Sequence, residues 1–232
     1  MIINIEPGTF GGPMRMGDLI ACANVVESMN QGKKDDKIKF HLRSSTIINE
    51  DHCKMMYMWL LQNTEYFSDE PSNTSLPWKK VNLWDFRDIS GDLVTIPNKL
   101  LQKKKIVVCP LFDAQYNTWR NWPKSIFEQI IQIYNNYDDY EKVIITKNNI
   151  TVDGWTTSSN FIQNLNHIME AETFIGGDTG TSHFAWSLDR SPQNLIYYGS
   201  SRGLIHTLPF YLLKGKGKMV NYWLDCEGTT WK

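Results

Sequence analysis

No stretch of the chain approaches the roughly 18 consecutive apolar residues that a membrane-crossing helix needs. The opening Met1 to Pro7 also lacks the basic and apolar regions of a secretory leader, so a cytoplasmic protein with no membrane span is expected. Cys22, Cys53, Cys109 and Cys226 lie far apart with no Cys-x-x-Cys pair, which argues against a zinc site and for reduced thiols. Neither sign of charge dominates: the net charge is −1, without the strongly basic surface that tight binding to nucleic acid normally requires. No Asp-x-Asp triplet occurs, and hard divalent cations favour such paired carboxylates because they want several oxygens. Alanine occurs only five times while Ile, Asn and Lys abound, a composition expected of an AT-rich genome such as a phage's.

What remains reads as a folded α/β protein. The 232 residues suffice for one large domain or two small ones, and 41% hydrophobic content supports a core in each. Ile2 to Ile5 forms a β-branched strand, a glycine-rich loop follows, and Leu19 to Met29 has helical spacing of apolar residues. Ile38 to Leu42 reads as a second strand, and Asp51 to Gln62 as a helix whose Met55, Met56, Met58, Trp59 and Leu60 are mostly core. His41 and His52 show no metal-ligand spacing. Between Gly91 and Lys105 the composition turns polar, which places a domain boundary near residue 100. Lys103 to Lys105 read as the solvated start of a strand at Ile106 to Cys109, and Pro123 opens a helix running to about Asn135. Val143 to Thr146 is a further strand, and residues 150 to 159 a polar connection.

Thr173 to Trp186 carries the strongest local signal. A short apolar run ends in Gly176 and Gly177, and Asp178 to Ser182 then supplies helix-starting residues. Such a strand, turn and helix N-terminus presents outward N–H groups and a partial positive charge, which suit a phosphate or diphosphate. Gly177 and Gly180 would let a ligand approach the backbone closely. Alternatively the segment is an ordinary helix capped by Asp178 or Thr179.

Gly17-Asp18-Leu19-Ile20, Arg120-Asn121-Trp122-Pro123 and Gly176 to His183 occur in that order, and a strand at Asn194 to Tyr198 follows. This ordered set resembles the heptosyltransferase-like glycosyltransferases of family 9. The resemblance implies the two-domain GT-B fold: two Rossmann-like domains with a cleft between them, the N-terminal one reduced here. It implies an acceptor-side domain at 1–100 and a donor-binding domain at 101–232. It gives Asp18 the role of general base, although Asp18 also reads as a helix cap. It places Arg120 against the donor's diphosphate, with Asn121 where the family more often has a second basic residue. Asp178, Thr179, Gly180, Thr181, Ser182 and His183 become the donor turn, with Arg202 after the next strand as a further candidate. Phe161 to Leu165 resembles the short stretch before the helix that leads into the donor turn, and Glu170 or Glu172 near that helix's end would meet ribose hydroxyls or be an exposed helical carboxylate.

The resemblance then implies sugar transfer from a nucleoside-diphosphate sugar to an acceptor hydroxyl, by direct inverting displacement. No metal or other cofactor is expected, because Arg120 and a helix N-terminus stand where paired carboxylates are missing. The acceptor would be a saccharide or, for a phage enzyme modifying DNA, hydroxymethylated bases, with Lys79, Lys80, Arg87 and the lysines at 214 to 218 as a local basic strip. A nucleotide-binding module without catalysis and a sugar-nucleotide epimerase of the same fold remain open beside it.

Overall fold

In the computed structural model the described residues are 1–5, 13–30, 32–72, 96–112, 118–200 and 218–224. The backbone forms two compact units, Met1–Pro97 and Asn98–Lys232. Among the described residues no helix is long and apolar enough to cross a membrane.

The first unit is a β-α-β crossover with a second helix. Strand β1 (Ile2–Ile5) pairs in parallel with β2 (Lys39–Leu42), and helix α1 (Met16–Asn30) connects them. Both strands bury every second residue, so Ile3, Ile5, Phe40 and Leu42 share the core with Leu19, Ile20, Ala23 and Val26 of α1. Asn30 ties the end of α1 to β2: its amide donates to the Ile38 carbonyl at 2.8 Å and its carbonyl accepts from the Ile38 N–H at 2.6 Å. Helix α2 (Asp51–Asn63) packs against α1 and buries Cys53, Met56, Tyr57, Trp59 and Leu60. Met55 and Met58 do not join this core. They are 38% and 52% exposed, because the buried arc of the helix is centred on Cys53, Met56 and Leu60, with position 58 opposite it and position 55 beyond its edge.

The second unit is built on six parallel strands in the order β5-β4-β3-β6-β7-β8. In chain order these are β3 (Lys103–Cys109), β4 (Glu141–Ile145), β5 (Thr156–Ser158), β6 (Ala171–Gly176), β7 (Asn194–Ser200) and β8 (Lys218–Leu224). Counted from β3, that order is 3-2-1-4-5-6, the arrangement of a doubly wound dinucleotide-binding sheet. Helix α3 (Lys124–Asn135) covers one face, where Phe127, Ile130 and Ile131 meet Ile106, Val108, Ile144 and Ile175. Val107, Val143 and Phe174 point to the other face by strand alternation and are as deeply buried; helices α4 (Phe161–Glu170) and α5 (Gly180–Ser187) contact β3, β6 and β7 there. Residues buried on both faces explain why these strands read as continuous apolar runs.

Three sequence expectations change. Lys103 to Lys105 lie within β3, and Lys105 is 2% exposed, because its ammonium meets Glu170 at 2.5 Å and Glu141 at 3.2 Å. The connection at 150–159 contains β5, a strand too short and polar to show a period. Phe161 to Leu165, expected to precede a helix, is the start of α4 itself, capped by Asn160, whose side chain accepts from the Gln163 N–H at 3.0 Å.

Candidate functional site

The switch point of the large sheet lies between β3 and β6, neighbours from which the chain continues in opposite directions, to β4 and to β7. Open parallel sheets bind ligands outside the carboxyl ends of strands at that point. β3 ends at Cys109 and β6 at Gly176, which are partners in register. A single 3-10 turn, Thr118–Arg120, leads from the β3 side into Trp122 and α3, while Gly177 to His183 leaves β6 and opens α5.

The turn after β6 is folded tightly on itself. The Gly177 carbonyl accepts the Thr179 N–H at 2.9 Å and the Ser182 hydroxyl at 2.5 Å. Thr179 is the N-cap of α5: its backbone is extended and its side-chain oxygen accepts from the Ser182 N–H. The Thr179 and Thr181 hydroxyls are 2.7 Å apart, and Thr181 in turn lies 3.0 Å from the Cys109 thiol. Asp178 therefore precedes the cap. The two glycines before it are dictated by packing. A Cβ at position 176 would stand 2.5 Å from the Ser182 hydroxyl and 2.7 Å from the Phe174 ring. One at position 177 would stand 2.7 Å from the Trp122 indole nitrogen. What approaches the Gly177 backbone is thus the indole of the fully buried Trp122, a residue anchored by its backbone N–H, which donates to the Leu111 carbonyl at 2.7 Å.

Charge is concentrated beside this turn. Arg120 Nε and Asp178 Oδ2 form an ion pair at 2.9 Å, with Asp178 only 5% exposed and Arg120 25%. His183 Nε2 lies 3.9 Å from the other oxygen of Asp178. Burial, and then the positive charge of Arg120, push the His183 imidazole down to about 4, so it is neutral near pH 7 and offers a hydrogen bond rather than a charge. Burial pushes the Cys109 thiol up to about 11 against the pull of the Thr181 and Thr179 hydroxyls; it is a packing thiol rather than a nucleophile.

The structure thus brings together Arg120, Asp178, Thr179, Gly180, Thr181, Ser182 and His183. Arg202 lies outside the described residues. Asp18 belongs to the first unit. It is the third residue of α1, where its carboxylate accepts the Arg15 N–H at 2.9 Å and closes the first turn as the reach-back half of a capping box. It is half-buried near Cys22, whose thiol is raised by burial and then by the Asp18 charge. Neither Glu170 nor Glu172 stands at the turn: Glu170 is bound by Lys103 and Lys105, and Glu172 by the Tyr140 hydroxyl at 2.7 Å. Cys109 and Trp122 were not among the candidate contacts; the signal for both was position, the last residue of β3 and the centre of the Arg-Asn-Trp-Pro run.

In the first unit, Glu50, His52 and Cys53 place ligand-type atoms within 4.8 Å of one another. Arg15 already meets Glu50 at 3.4 Å, and the cluster sits on the positive end of α2, which both oppose a cation there.

Neither a protein-family model nor a curated protein matches the sequence. Among solved structures the chain is similar to the glycosyl transferase family 9 from Veillonella parvula, with a TM-score of 0.52 and 8% identity over 96% of this chain and 85% of that one. At that identity the likeness establishes the fold: a mixed α/β, GT-B-like architecture with a parallel sheet flanked by helices.

Proposed function

We propose that the chain is a glycosyltransferase that moves a sugar from a nucleoside-diphosphate sugar to an acceptor hydroxyl by metal-independent, inverting displacement. One observation carries this reading. Arg120 and the capped turn from Asp178 to His183 converge at the switch point of a six-stranded parallel sheet, where doubly wound sheets take phosphorylated ligands. The GT-B-like fold of the similar family 9 structure gives this position a matching context.

The chain's own residues divide the work. Asp178 pairs with Arg120 at 2.9 Å and so keeps the guanidinium beside the turn. The Arg120 charge would offset that on a departing nucleoside diphosphate, together with the N–H groups at the start of α5. Neutral His183, held against Asp178, would donate or accept one hydrogen bond to the donor. Asp18 would take the proton of the acceptor hydroxyl as that oxygen attacks the anomeric carbon and the carbon–diphosphate bond breaks on the opposite side, inverting the centre. In this reading Met1–Pro97 is the acceptor side and Asn98–Lys232 the donor side.

The acceptor is a saccharide or a hydroxymethylated DNA base. Lys79, Lys80, Arg87 and the segment 214–217, the candidates for a basic strip, lie outside the described residues, as do the side chains of β8, Lys218 included. Retention on immobilised DNA that weakens as salt rises favours the DNA acceptor; no retention favours the saccharide.

The reaction is tested by following transfer from UDP-, ADP-, GDP- and CMP-linked sugars in the presence of a chelator. Asp18→Asn should cut turnover by about 10²- to 10⁴-fold with donor affinity nearly unchanged, as expected for loss of a general base. Unchanged turnover would remove Asp18 from that role. Conversion of the donor sugar without any acceptor would replace transferase by epimerase, and nucleotide binding with no chemistry would leave a binding module.

A further inference from the structure

Three residues before Gly176 along β6, about 10 Å at the usual strand rise, the second unit has a separate cavity of about 260 Å³. It opens at the other end of the strands. Ile106, Glu172, Thr173, Asn194 and Ile196 are its strand residues, and three tyrosines form the rest. Ile106, Thr173 and Asn194 are in register on β3, β6 and β7. The tyrosines come from one short stretch, the end of α3 and the turn after it. Tyr134 and Tyr137 have ring centroids 5.3 Å apart, and Tyr137 and Tyr140 meet edge-to-face at 5.6 Å. Tyr137 is 44% exposed, which leaves the group reachable from solvent.

The chemistry of this lining is one-sided. Among the described residues Glu172 is the one charged residue of the lining, with Lys104 behind Tyr140 as the nearest cation to it on that side. The Tyr140 hydroxyl donates to Glu172 Oε1 at 2.7 Å, and the Asn194 amide donates to Thr173 Oγ1 at 3.1 Å. The Tyr140 hydroxyl and one Asn194 N–H are thus bonded within the wall, and the second Glu172 oxygen and the aromatic rings stand beside them as electron-rich groups. The rings already attract an ammonium: Lys104 Nζ stands 5.9 Å from the Tyr140 centroid while it pairs with Asp139.

We propose that this cavity is a binding site for a small organic ammonium, with Tyr134, Tyr137 and Tyr140 as the aromatic walls and Glu172 as the counter-charge. Alkyl groups on the nitrogen would rest against Ile106 and Ile196. A neutral sugar fits less well, because it brings no charge to answer Glu172. A nucleotide is excluded by the negative charge and the cavity size.

The probe is choline, titrated into the intact protein by calorimetry, with its uncharged isostere 3,3-dimethyl-1-butanol and methyl glucoside in parallel. Choline should bind saturably, and the other two should not. Glu172→Gln, which keeps an oxygen to accept from Tyr140, should weaken choline about tenfold, and Tyr137→Ala, at an exposed position, by several-fold, the range expected of cation–π contacts. Thermal unfolding midpoints close to wild type would show that both variants are folded. Arg120→Lys, at the far end of the sheet, should leave choline binding unchanged whether or not that end takes a nucleotide. Absence of choline binding to the folded wild type, equal binding of the neutral isostere, or insensitivity to both substitutions would each overturn the proposal, and saturable methyl glucoside binding lost in Tyr137→Ala would reassign the cavity to sugars.

Discussion

The two ends of the large sheet treat charge in opposite ways. At the amino ends of the strands Lys105 is 2% exposed and fully surrounded: Glu170 at 2.5 Å, Glu141 at 3.2 Å and the His167 ring nitrogen at 3.2 Å. Lys103 adds a second cation on Glu170, and the two lysines, working against burial, hold that carboxyl below its ordinary range. At the carboxyl ends one arginine meets one aspartate beside a turn whose carbonyls and hydroxyls are bonded to each other, and the neighbouring histidine is neutral. The first arrangement closes every charge on a protein partner, as a structural network must. The second leaves a 25% exposed guanidinium at the switch point, where a charged ligand can meet it.

The sharpest way to break this contrast is Lys105→Met. Removing one member of a buried, multiply bonded network should cost about 3–5 kcal/mol of stability, read by urea unfolding, while nucleotide affinity per folded molecule stays unchanged. A similar loss of affinity would merge the two ends into one functional site. The next largest effect is set by pH. His183 falls to about 4 in the fold from its ordinary 6.5, so it is neutral in both states above 6.5 and adds no slope there. Between 6.5 and 4 the unfolded chain binds a proton that the folded chain refuses, and stability should fall by about 3 kcal/mol on acidification. His183→Gln should reduce that slope to the part left by His167, which burial and then the Lys105 charge also hold below 6.5. The contribution of Glu170 is lost only below its ordinary 4.5, so the slope between 6.5 and 4.5 excludes it.

Gly177→Ala comes next. The added Cβ must displace the Trp122 indole at 2.7 Å, which should cost about 1–3 kcal/mol and distort the turn. A stable variant with unchanged binding would show that the Trp122 contact does not hold the turn in place. The smallest effect separates charge from structure. Arg120→Ala strands the buried Asp178 and should lower the unfolding midpoint, whereas Arg120→Ala with Asp178→Asn should recover most of it, a coupling of about 1 kcal/mol in a double-mutant cycle. Midpoints that add without recovery would mean that the pair contributes nothing to the fold.

The contrast also divides what could be read in the sequence. The carboxyl end was legible because its signals are local: Gly176 and Gly177 after an apolar run, helix-starting residues behind them, and Arg120 two residues before Trp122. The amino end was not. Lys105 looks like a solvated lysine until α4, about sixty residues later, brings His167 and Glu170 onto it. The same non-locality hid the cavity, because Glu172 and Asn194 reach Tyr134 and Tyr140 only through the strand order. Helix α1 begins at Met16, earlier than the apolar spacing from Leu19 suggests, because Asp18 reaches back to the Arg15 N–H and carries Gly17 into the first turn. Met55 and Met58 were assigned to the core on hydrophobicity alone, where the helical phase sets them outside.

Arg120 and the Asp178–His183 turn are proposed to form a nucleoside-diphosphate site. The most direct measurement is a thermal-shift titration of the wild type and the Arg120→Ala, Asp178→Asn double variant with UDP, ADP, GDP and CMP in chelator. A ligand at a hundred times its dissociation constant stabilises by about 2.7 kcal/mol, well above detection. The expected result is a clear rise in midpoint with one diphosphate for the wild type and none for the folded double variant. No rise with any nucleotide, or an equal rise in both proteins, would contradict the account.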